Sequence, residues 1–203
     1  MKTIQIRIET GELRYAVTNK AHVTARSLSS SGKLNAETAS IVQADQDGED
    51  NYEIIRAIST AIAEVKMALT EWLDETTTGA SNLISSKVEK GETVALQLRM
   101  TDNYDSAATW AVGAGIHDYV VGRATYEWYK MTVPELAAVC LTDAQAALVR
   151  TEQALFKRTR PQRPTYEDEG SSSSESGGTA YSSEEQQAGS GDTGTGMNNN
   201  ETD

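Results

Sequence analysis

The sequence between Asp50 and Leu73 reads DNYEIIRAISTAIAEVKMALTEWL. Its large apolar residues recur every three or four positions, which is the spacing of one face of an α-helix. The charged residues fall mostly between them, where they would meet water. The stretch therefore predicts a helix over residues 52–75, with its N-cap at Asp50 or Asn51. The predicted buried face consists of Ile54, Ile55, Ile58, Ile62, Val65, Leu69, Trp72 and Leu73.

A second stretch echoes the first. Residues 50–53 read DNYE and residues 71–72 read EW, while residues 102–105 read DNYD and residues 127–128 read EW. The echo predicts another long helix, which would start near residue 102 and end near residue 131. Two tryptophans at matching places in two helices favour a scaffold over a catalytic site.

Alternation of apolar and polar residues, which is typical of half-buried strands, marks other segments. Residues 3–18 contain two alternating runs joined by Thr10-Gly11, and they predict a β-hairpin. Residues 94–100 repeat the pattern of the first run, which predicts a central strand that pairs with the hairpin. Residues 19–50 leave the choice open, since Ala21 to Leu28 fits either a short helix or a third strand.

A last helix is predicted after the second tryptophan helix. Thr132 and Glu135 have the spacing of a capping box, and Pro134 suits a first helical turn. The helix would run to about Arg158, with Asp143 able to cap a new segment within it. The predicted fold class is α+β and mainly helical. It has three main helices and a small antiparallel sheet, formed by the N-terminal hairpin and the central strand.

Composition divides the chain after residue 164. Residues 165–203 contain nine acidic residues, no basic residue and few large apolar side chains. Such a segment cannot bury enough apolar surface to offset its ordering entropy, so we expect a disordered acidic Ser/Gly-rich tail. The tail carries −9 of the net charge of −12, which leaves −3 for residues 1–164. These residues are predicted to form a single folded domain without a broadly basic surface for nucleic acid.

The sequence predicts no catalytic residue, no cofactor and no metal site, and the protein is expected not to be an enzyme. The single cysteine, Cys140, excludes a cysteine metal cluster and is expected to be a buried helix residue. His117 lacks the second ligand of a helical zinc pair and is interpreted as a structural or interface histidine. Asp102 and Asp105 are interpreted as helix caps. No signal peptide or membrane span is expected, so the chain would be made in the cytoplasm.

Small residues recur within the second tryptophan helix. Gly113 and Gly115 resemble part of a phosphate-binding loop, but they lie inside a helical pattern and do not follow a strand. Ala107, Ala111 and Gly115 instead form a stripe at four-residue spacing. The stripe predicts close packing against another helix.

A cluster of basic residues lies directly before the predicted tail. We call Lys157, Arg158, Arg160 and Arg163 the basic strip. Three interpretations stay open: a solvated helix end, a docking site for an acidic protein surface or for DNA phosphates, and a partner for the acidic tail.

Aromatic residues crowd the second tryptophan helix. Tyr119, Tyr126, Trp128 and Tyr129 cannot all lie on one face, because Trp128 and Tyr129 are adjacent. Trp128 is interpreted as a core residue. Tyr126 and Tyr129 are interpreted as interface residues, since exposed aromatic side chains favour protein–protein contact.

Residues 96–163 carry a resemblance to a class of phage proteins. Residues 96–105 read LQLRMTDNYD, residues 117–128 read HDYVVGRATYEW, and residues 158–161 (RTRP) follow an alanine-rich helix. This pattern resembles small uncharacterised structural or morphogenesis proteins from gene clusters of phages and prophages of gut bacteria. The resemblance implies a non-enzymatic virion subunit, either a head–tail connector or adaptor or a tail-completion component.

The resemblance also implies the partners. Such subunits work as rings or adaptors, so the expected partners are other virion proteins or further copies of this chain in a ring. A weak contact between residues 157–163 and DNA phosphates is a further expectation, and no membrane partner is expected. The chain would be made in the cytoplasm of the bacterial host and located in the virion. The alternative is a cytoplasmic binding module or assembly chaperone whose acidic tail contacts a basic partner.

Overall fold

The computed structural model describes residues 1–33, 35–44, 48–74 and 84–161. Met1–Pro161 form one compact unit. The predicted end of the domain at residue 164 and the predicted tail, residues 165–203, lie outside the described residues.

Helices dominate the described chain, and a two-stranded sheet completes it. The elements are, in chain order, β1 (Lys2–Glu9), α1 (Thr10–Ser30), α2 (Ala36–Val42), α3 (Glu49–Ala68), α4 (Ile84–Lys90), β2 (Thr93–Met100), α5 (Thr109–Thr132) and α6 (Pro134–Leu155). A short 3₁₀ turn at Ser106–Ala108 leads into α5. The predicted class, mainly helical α+β with a small antiparallel sheet, is confirmed.

The sheet joins the first strand of the chain to the central one. β1 and β2 are antiparallel, with Ile6 opposite Leu96 and Ile8 opposite Val94. These four side chains are buried, because alternate residues of each strand face the helices. The predicted pairing between the N-terminal strand and the strand at residues 94–100 is therefore confirmed.

The predicted hairpin over residues 3–18 is wrong, because only its first half is a strand. From Thr10 onward the chain is helical, and α1 is a fourth long helix beside the three predicted. Leu13 and Val17 are buried while Tyr15 between them is exposed on the other side of the helix. A spacing of four residues fits a helix face as well as alternate strand positions. The buried residues of α1 are Thr10, Leu13, Val17, Thr18, Ala21 and Ala25.

The helix predicted over residues 52–75 is present as α3, but with different ends. It begins at Glu49, with Gly48 at the N-cap in place of Asp50 or Asn51, and ends at Ala68. Beyond its end the chain runs along β2. The Arg99 amide donates to the Trp72 carbonyl oxygen at 2.6 Å. The Asp74 amide likewise donates to β2, at 2.9 Å. These bonds cover the edge of β2 that faces away from β1.

The tightest helix contact joins α5 to α6. A Cβ atom placed on Gly115 would lie 2.2 Å from Thr151 Oγ1, and one on Gly122 would lie 3.0 Å from Ala144 Cβ. Both glycines therefore let α6 approach the α5 backbone. The packing predicted for Gly115 is confirmed. Its predicted companions in the stripe, Ala107 and Ala111, are exposed, and Gly122 provides the second contact.

The helix starts differ partly from the predicted caps. Asp105 Oδ1 accepts a hydrogen bond from the Ala107 amide at 3.0 Å, which confirms it as a cap of the turn before α5. Asp102 instead pairs with the N-terminal amine. The capping box predicted at Thr132 is wrong, because its hydroxyl donates to the Trp128 carbonyl oxygen within α5. Pro134 opens α6 as predicted, and the helix continues to Leu155 without a new segment.

Among the described residues, none of the helices combines the length and the apolar character needed to cross a membrane.

Candidate functional site

The two adjacent aromatic residues at the end of α5 belong to the core. Trp128 is buried, and its Nε1 donates to the Val42 carbonyl oxygen at 3.0 Å, which ties α5 to the end of α2. Tyr129 is only 1% exposed, and its hydroxyl bonds Thr24 Oγ1 of α1 at 2.7 Å. The core position predicted for Trp128 is confirmed. The interface role predicted for Tyr129 is wrong, because its ring is held against α1 and offers no surface to a partner.

Tyr126 lies one turn earlier and is half-buried. The Arg123 guanidinium carbon lies 5.1 Å from the centroid of its ring, which is the distance of a cation–π contact. Tyr126 thus keeps part of its ring accessible, and its interface role stays a prediction.

A partly buried network of charges joins α3 to α5. Arg123 binds the Glu64 carboxylate through two hydrogen bonds of 2.9 Å each, and it also pairs with Glu127 one turn further along α5. The Tyr119 hydroxyl donates to the same Glu64 carboxylate at 2.8 Å. A paired, hydrogen-bonded arrangement of this kind fixes the relative position of two helices.

The network is held in one protonation state near neutral pH. Burial raises the pKa of Tyr119, and its hydrogen bond to the Glu64 carboxylate adds to the effect, so that the pKa reaches about 12. Burial lowers the pKa of Arg123, but hydrogen bonds to Glu64 and Glu127 outweigh it and raise the pKa above its ordinary value. Tyr119 therefore stays protonated and Arg123 stays charged.

An exposed apolar surface lies at the C-terminal end of α5. Ile41 from α2, Tyr52 from α3 and Met131 from α5 are each 60–70% exposed. Together with Trp128 they line a concavity of about 750 Å³, whose wall is completed by Asp50, Glu53 and Thr132. We call Ile41, Tyr52, Met131 and Trp128 the apolar patch.

A second concavity of about 440 Å³ adjoins the first and shares Glu53, Trp128 and Met131 with it. Its other walls are mostly polar: Arg56, Thr60, Glu127 and Lys130, with Ile54 and Ala57. The surface as a whole therefore has an apolar centre and a rim of mixed charge. This is the usual composition of a protein–protein interface.

The basic strip is in part a helix end. Lys157, Arg158 and Arg160 are exposed, while Arg163 lies outside the described residues. Arg158 Nη1 donates to the carbonyl oxygens of Leu155 and Lys157, at 2.9 and 3.2 Å, and so caps α6. The docking role of the strip stays a prediction.

The remaining titratable candidates show no assembled chemistry. His117 Nε2 lies 4.0 Å from Glu12 Oε1, and His117 Nδ1 lies 3.7 Å from Asp118 Oδ1, which are both too long for hydrogen bonds. Cys140 is buried on α6 as predicted, and burial raises the pKa of its thiol. In the ranges that the structure describes, no three His, Cys, Asp or Glu side chains gather where they could hold a metal ion.

The sequence does not predict the apolar patch. Tyr52 belongs to the DNYE echo, and it falls off the apolar stripe of its helix. That was the available signal, because a large aromatic residue on the polar face of a helix is a candidate for contact. Ile41 and Met131 carry no comparable local signal.

No protein-family model and no curated protein matches the sequence, and no solved structure matches the fold. The surface is therefore interpreted from its own geometry.

Proposed function

We propose that this chain is a structural subunit that acts through protein–protein contacts in a phage virion, as a head–tail connector or adaptor or as a tail-completion component. The observation that carries the proposal is the apolar patch. Three of its large side chains are 60–70% exposed although they come from three different helices. Exposed apolar residues that converge on a concave surface mark a binding site.

The rim of the patch fits a protein better than a small molecule. Glu53 and Arg56 form an exposed ion pair at 3.6 Å, and Lys130 lies beside them. Charges of both signs around an apolar centre set the orientation of a macromolecular partner more than its affinity. The proposed partner is a neighbouring virion protein, which rests on the resemblance of residues 96–163.

The patch is held in place by the contacts beneath it. The bond from Trp128 to the Val42 carbonyl oxygen fixes α2 next to Ile41. The network of Arg123 and Glu64 fixes α3 against α5. A surface that is already ordered loses less entropy when it binds, so these contacts support a docking role.

The test is incorporation into particles. Phage particles would be assembled with the wild-type chain, with Met131→Asp, or with Met67→Asp, and the purified particles would be inventoried by mass spectrometry. Met67 is another exposed methionine, on α3, that lines neither concavity, so it is the matched control. We expect a fixed low copy number for the wild type and the control, and loss of the chain for Met131→Asp.

Two outcomes would contradict the proposal in different ways. Equal incorporation of Met131→Asp and the wild type would exclude the apolar patch as the docking site. A wild-type chain that is absent from mature particles but bound to assembly intermediates would support the alternative, an assembly chaperone.

A further inference from the structure

One edge of the strand β1 pairs with none of the described residues. The Thr10 amide donates to the Glu92 carbonyl oxygen. Thr10 and Glu92, which lie just beyond the last pair of the sheet, therefore form a hydrogen-bonded pair. In an antiparallel ladder the hydrogen-bonded pairs alternate with pairs whose backbone groups point outward. By the observed register, the outward-pointing residues of β1 are Thr3, Gln5, Arg7 and Glu9.

The other strand confirms this assignment. Gln97 lies opposite Gln5, and Arg99 lies opposite Thr3. Both direct backbone groups away from β1, to the Trp72–Asp74 segment. One edge of the sheet is thus covered by the chain itself. On the β1 edge, no described residue bonds the outward N–H and C=O groups of Thr3, Gln5 and Arg7, whereas the Glu9 carbonyl oxygen, at the N-cap of α1, also belongs to the first turn of that helix.

A groove follows the open edge. Residues 5–9 of β1 form one side of a concavity of about 470 Å³, and Trp110, Gly113, Ala114 and His117 of α5 form the other. Trp110 is 82% exposed. A Cβ atom placed on Gly113 would meet only Ile6 Cγ2, at 3.9 Å, so the wall of the groove is open beside it. Backbone groups next to an exposed aromatic side chain are the elements of strand addition.

We propose that a second copy of this chain occupies the open edge, and that the two β1 strands pair antiparallel about a two-fold axis. In the proposed register, Thr3 lies opposite the partner's Glu9 and Gln5 lies opposite the partner's Arg7, so that the numbers of each facing pair add to twelve. This register engages all four outward residues. The result is a continuous four-stranded sheet.

Charge and register favour a copy of the same strand as the occupant. In this register none of the four pairs brings like charges together. Arg7 donates to the Gln5 side-chain Oε1 at 3.3 Å within one chain, and in the dimer it also faces the partner's Gln5. A shift of two residues in one direction would place Arg7 opposite the partner's Arg7. A shift in the other direction would leave three such pairs within β1 instead of four, because Glu9 would lie opposite the partner's Met1, outside the strand. One register is therefore preferred, as an isologous contact requires.

This inference goes beyond the proposed function and does not depend on a virion. The open edge and the apolar patch share no residue. Loss of particle incorporation and loss of dimerisation are therefore separate results.

The first experiment compares Gln5→Pro with Gln5→Thr in the full chain by sedimentation over a range of concentrations. Proline removes an outward N–H that β2 does not use, whereas threonine keeps it. Gln5→Pro removes two hydrogen bonds from each dimer, which should weaken dimerisation about tenfold or more. Gln5→Thr should sediment like the wild type. Trp110→Ala, which alters only an exposed side chain, should also weaken the dimer.

The second experiment tests the register and does not depend on how well the proline variant folds. Cα atoms of a hydrogen-bonded antiparallel pair lie about 5.5 Å apart, within disulfide range. A mixture of Gln5→Cys and Arg7→Cys should therefore form disulfide-linked dimers on mild oxidation. Either variant alone should form few, because its cysteines would lie beyond the limit of about 7 Å.

A wild-type chain that stays monomeric at every concentration would overturn the inference. So would a dimer that resists both Gln5→Pro and Trp110→Ala, or disulfides that form equally well in the single variants and in the mixture.

Discussion

Replacing Gly115 by alanine tests the contact between α5 and α6 with a single added methyl group. At an uncrowded position in a helix, this change stabilises the folded protein by about 1 kcal/mol, since glycine has more conformational entropy than alanine in the unfolded chain. Here the new Cβ would lie 2.2 Å from Thr151 Oγ1, 3.3 Å from Thr151 Cβ and 3.4 Å from the Ala147 carbonyl oxygen. The first distance is far inside van der Waals contact, so Thr151 or α6 must move.

The expected net effect is a loss of about 2 kcal/mol. Overpacking a core position costs about 1–3 kcal/mol. Displacing Thr151 also weakens its buried hydrogen bond to the Ala147 carbonyl oxygen, 2.9 Å long, at a cost of about 1 kcal/mol. The helix preference of alanine offsets about 1 kcal/mol of the sum.

Urea unfolding of four variants would measure this loss and locate its cause. Gly113→Ala is the matched control in the same helix. It adds a methyl group where only Ile6 Cγ2 lies within reach, at 3.9 Å, and it should raise stability by up to about 1 kcal/mol. Thr151→Ala removes the clashing oxygen. Adding it to Gly115→Ala should therefore recover most of the loss, with a coupling energy above about 1 kcal/mol.

Two results would refute the reasoning. If Gly115→Ala raised the urea midpoint as Gly113→Ala does, α6 would not approach α5 as closely as the structure shows. If Gly115→Ala were destabilising but its effect were simply additive with that of Thr151→Ala, the clash would lie elsewhere.

The other predictions concern charge, pH and the chain end. Arg123→Met should lower the stability measured by thermal melting by about 2 kcal/mol, because Glu64 and Glu127 lose their cationic partner. The control Arg56→Met removes an exposed ion pair and should change stability by less than about 0.5 kcal/mol. The pKa of Tyr119 is about 12 in the folded protein and about 10 in the unfolded chain. Its contribution to the free energy of unfolding is therefore constant below pH 10, and it is lost as the pH rises from about 10 to about 12, because only the unfolded chain releases the proton there. Tyr119→Phe should show a smaller loss of unfolding free energy over that interval. Any association that uses the basic strip should weaken as salt rises, since exposed charges are screened over about 8–10 Å, and alanine at its four positions should remove the salt dependence in sedimentation. Limited proteolysis should trim the chain to about residue 164 and leave the melting temperature of the core unchanged, and a large drop would show that the tail is part of the fold.

Regular patterns made part of the fold predictable. The stripe of α3 and the alternation of β2 each extend over many residues, and both elements are present. The stripe of α1 is weaker, because its second half is buried through the small residues Thr18, Ala21 and Ala25. The alternation of apolar and polar residues around Tyr15 is the stronger local signal, and it predicts the hairpin that the structure contradicts.

That error also explains the wrong assignment of Tyr129. Its hydroxyl bonds Thr24 and the Lys20 carbonyl oxygen, which both belong to α1. Without α1 as a helix, nothing in the sequence indicates that Tyr129 is covered while Tyr126, three residues earlier, is partly open. For a different reason, the apolar patch could not be predicted. Ile41, Tyr52 and Met131 are far apart in the chain, and only the packing of three helices brings them together.

The position of α5 makes the two proposed surfaces compatible. Trp110 lies near its start and Met131 near its end, about 32 Å apart at 1.5 Å per helical residue. Two copies joined at β1 would therefore leave both apolar patches free. An isologous pair closes on itself, so a ring of higher order requires a second, different contact. The apolar patch is available for that contact, to another virion protein or to the next pair of copies. Gln5→Pro should accordingly weaken the dimer and leave patch binding unchanged, whereas Met131→Asp should weaken patch binding and leave the dimer unchanged.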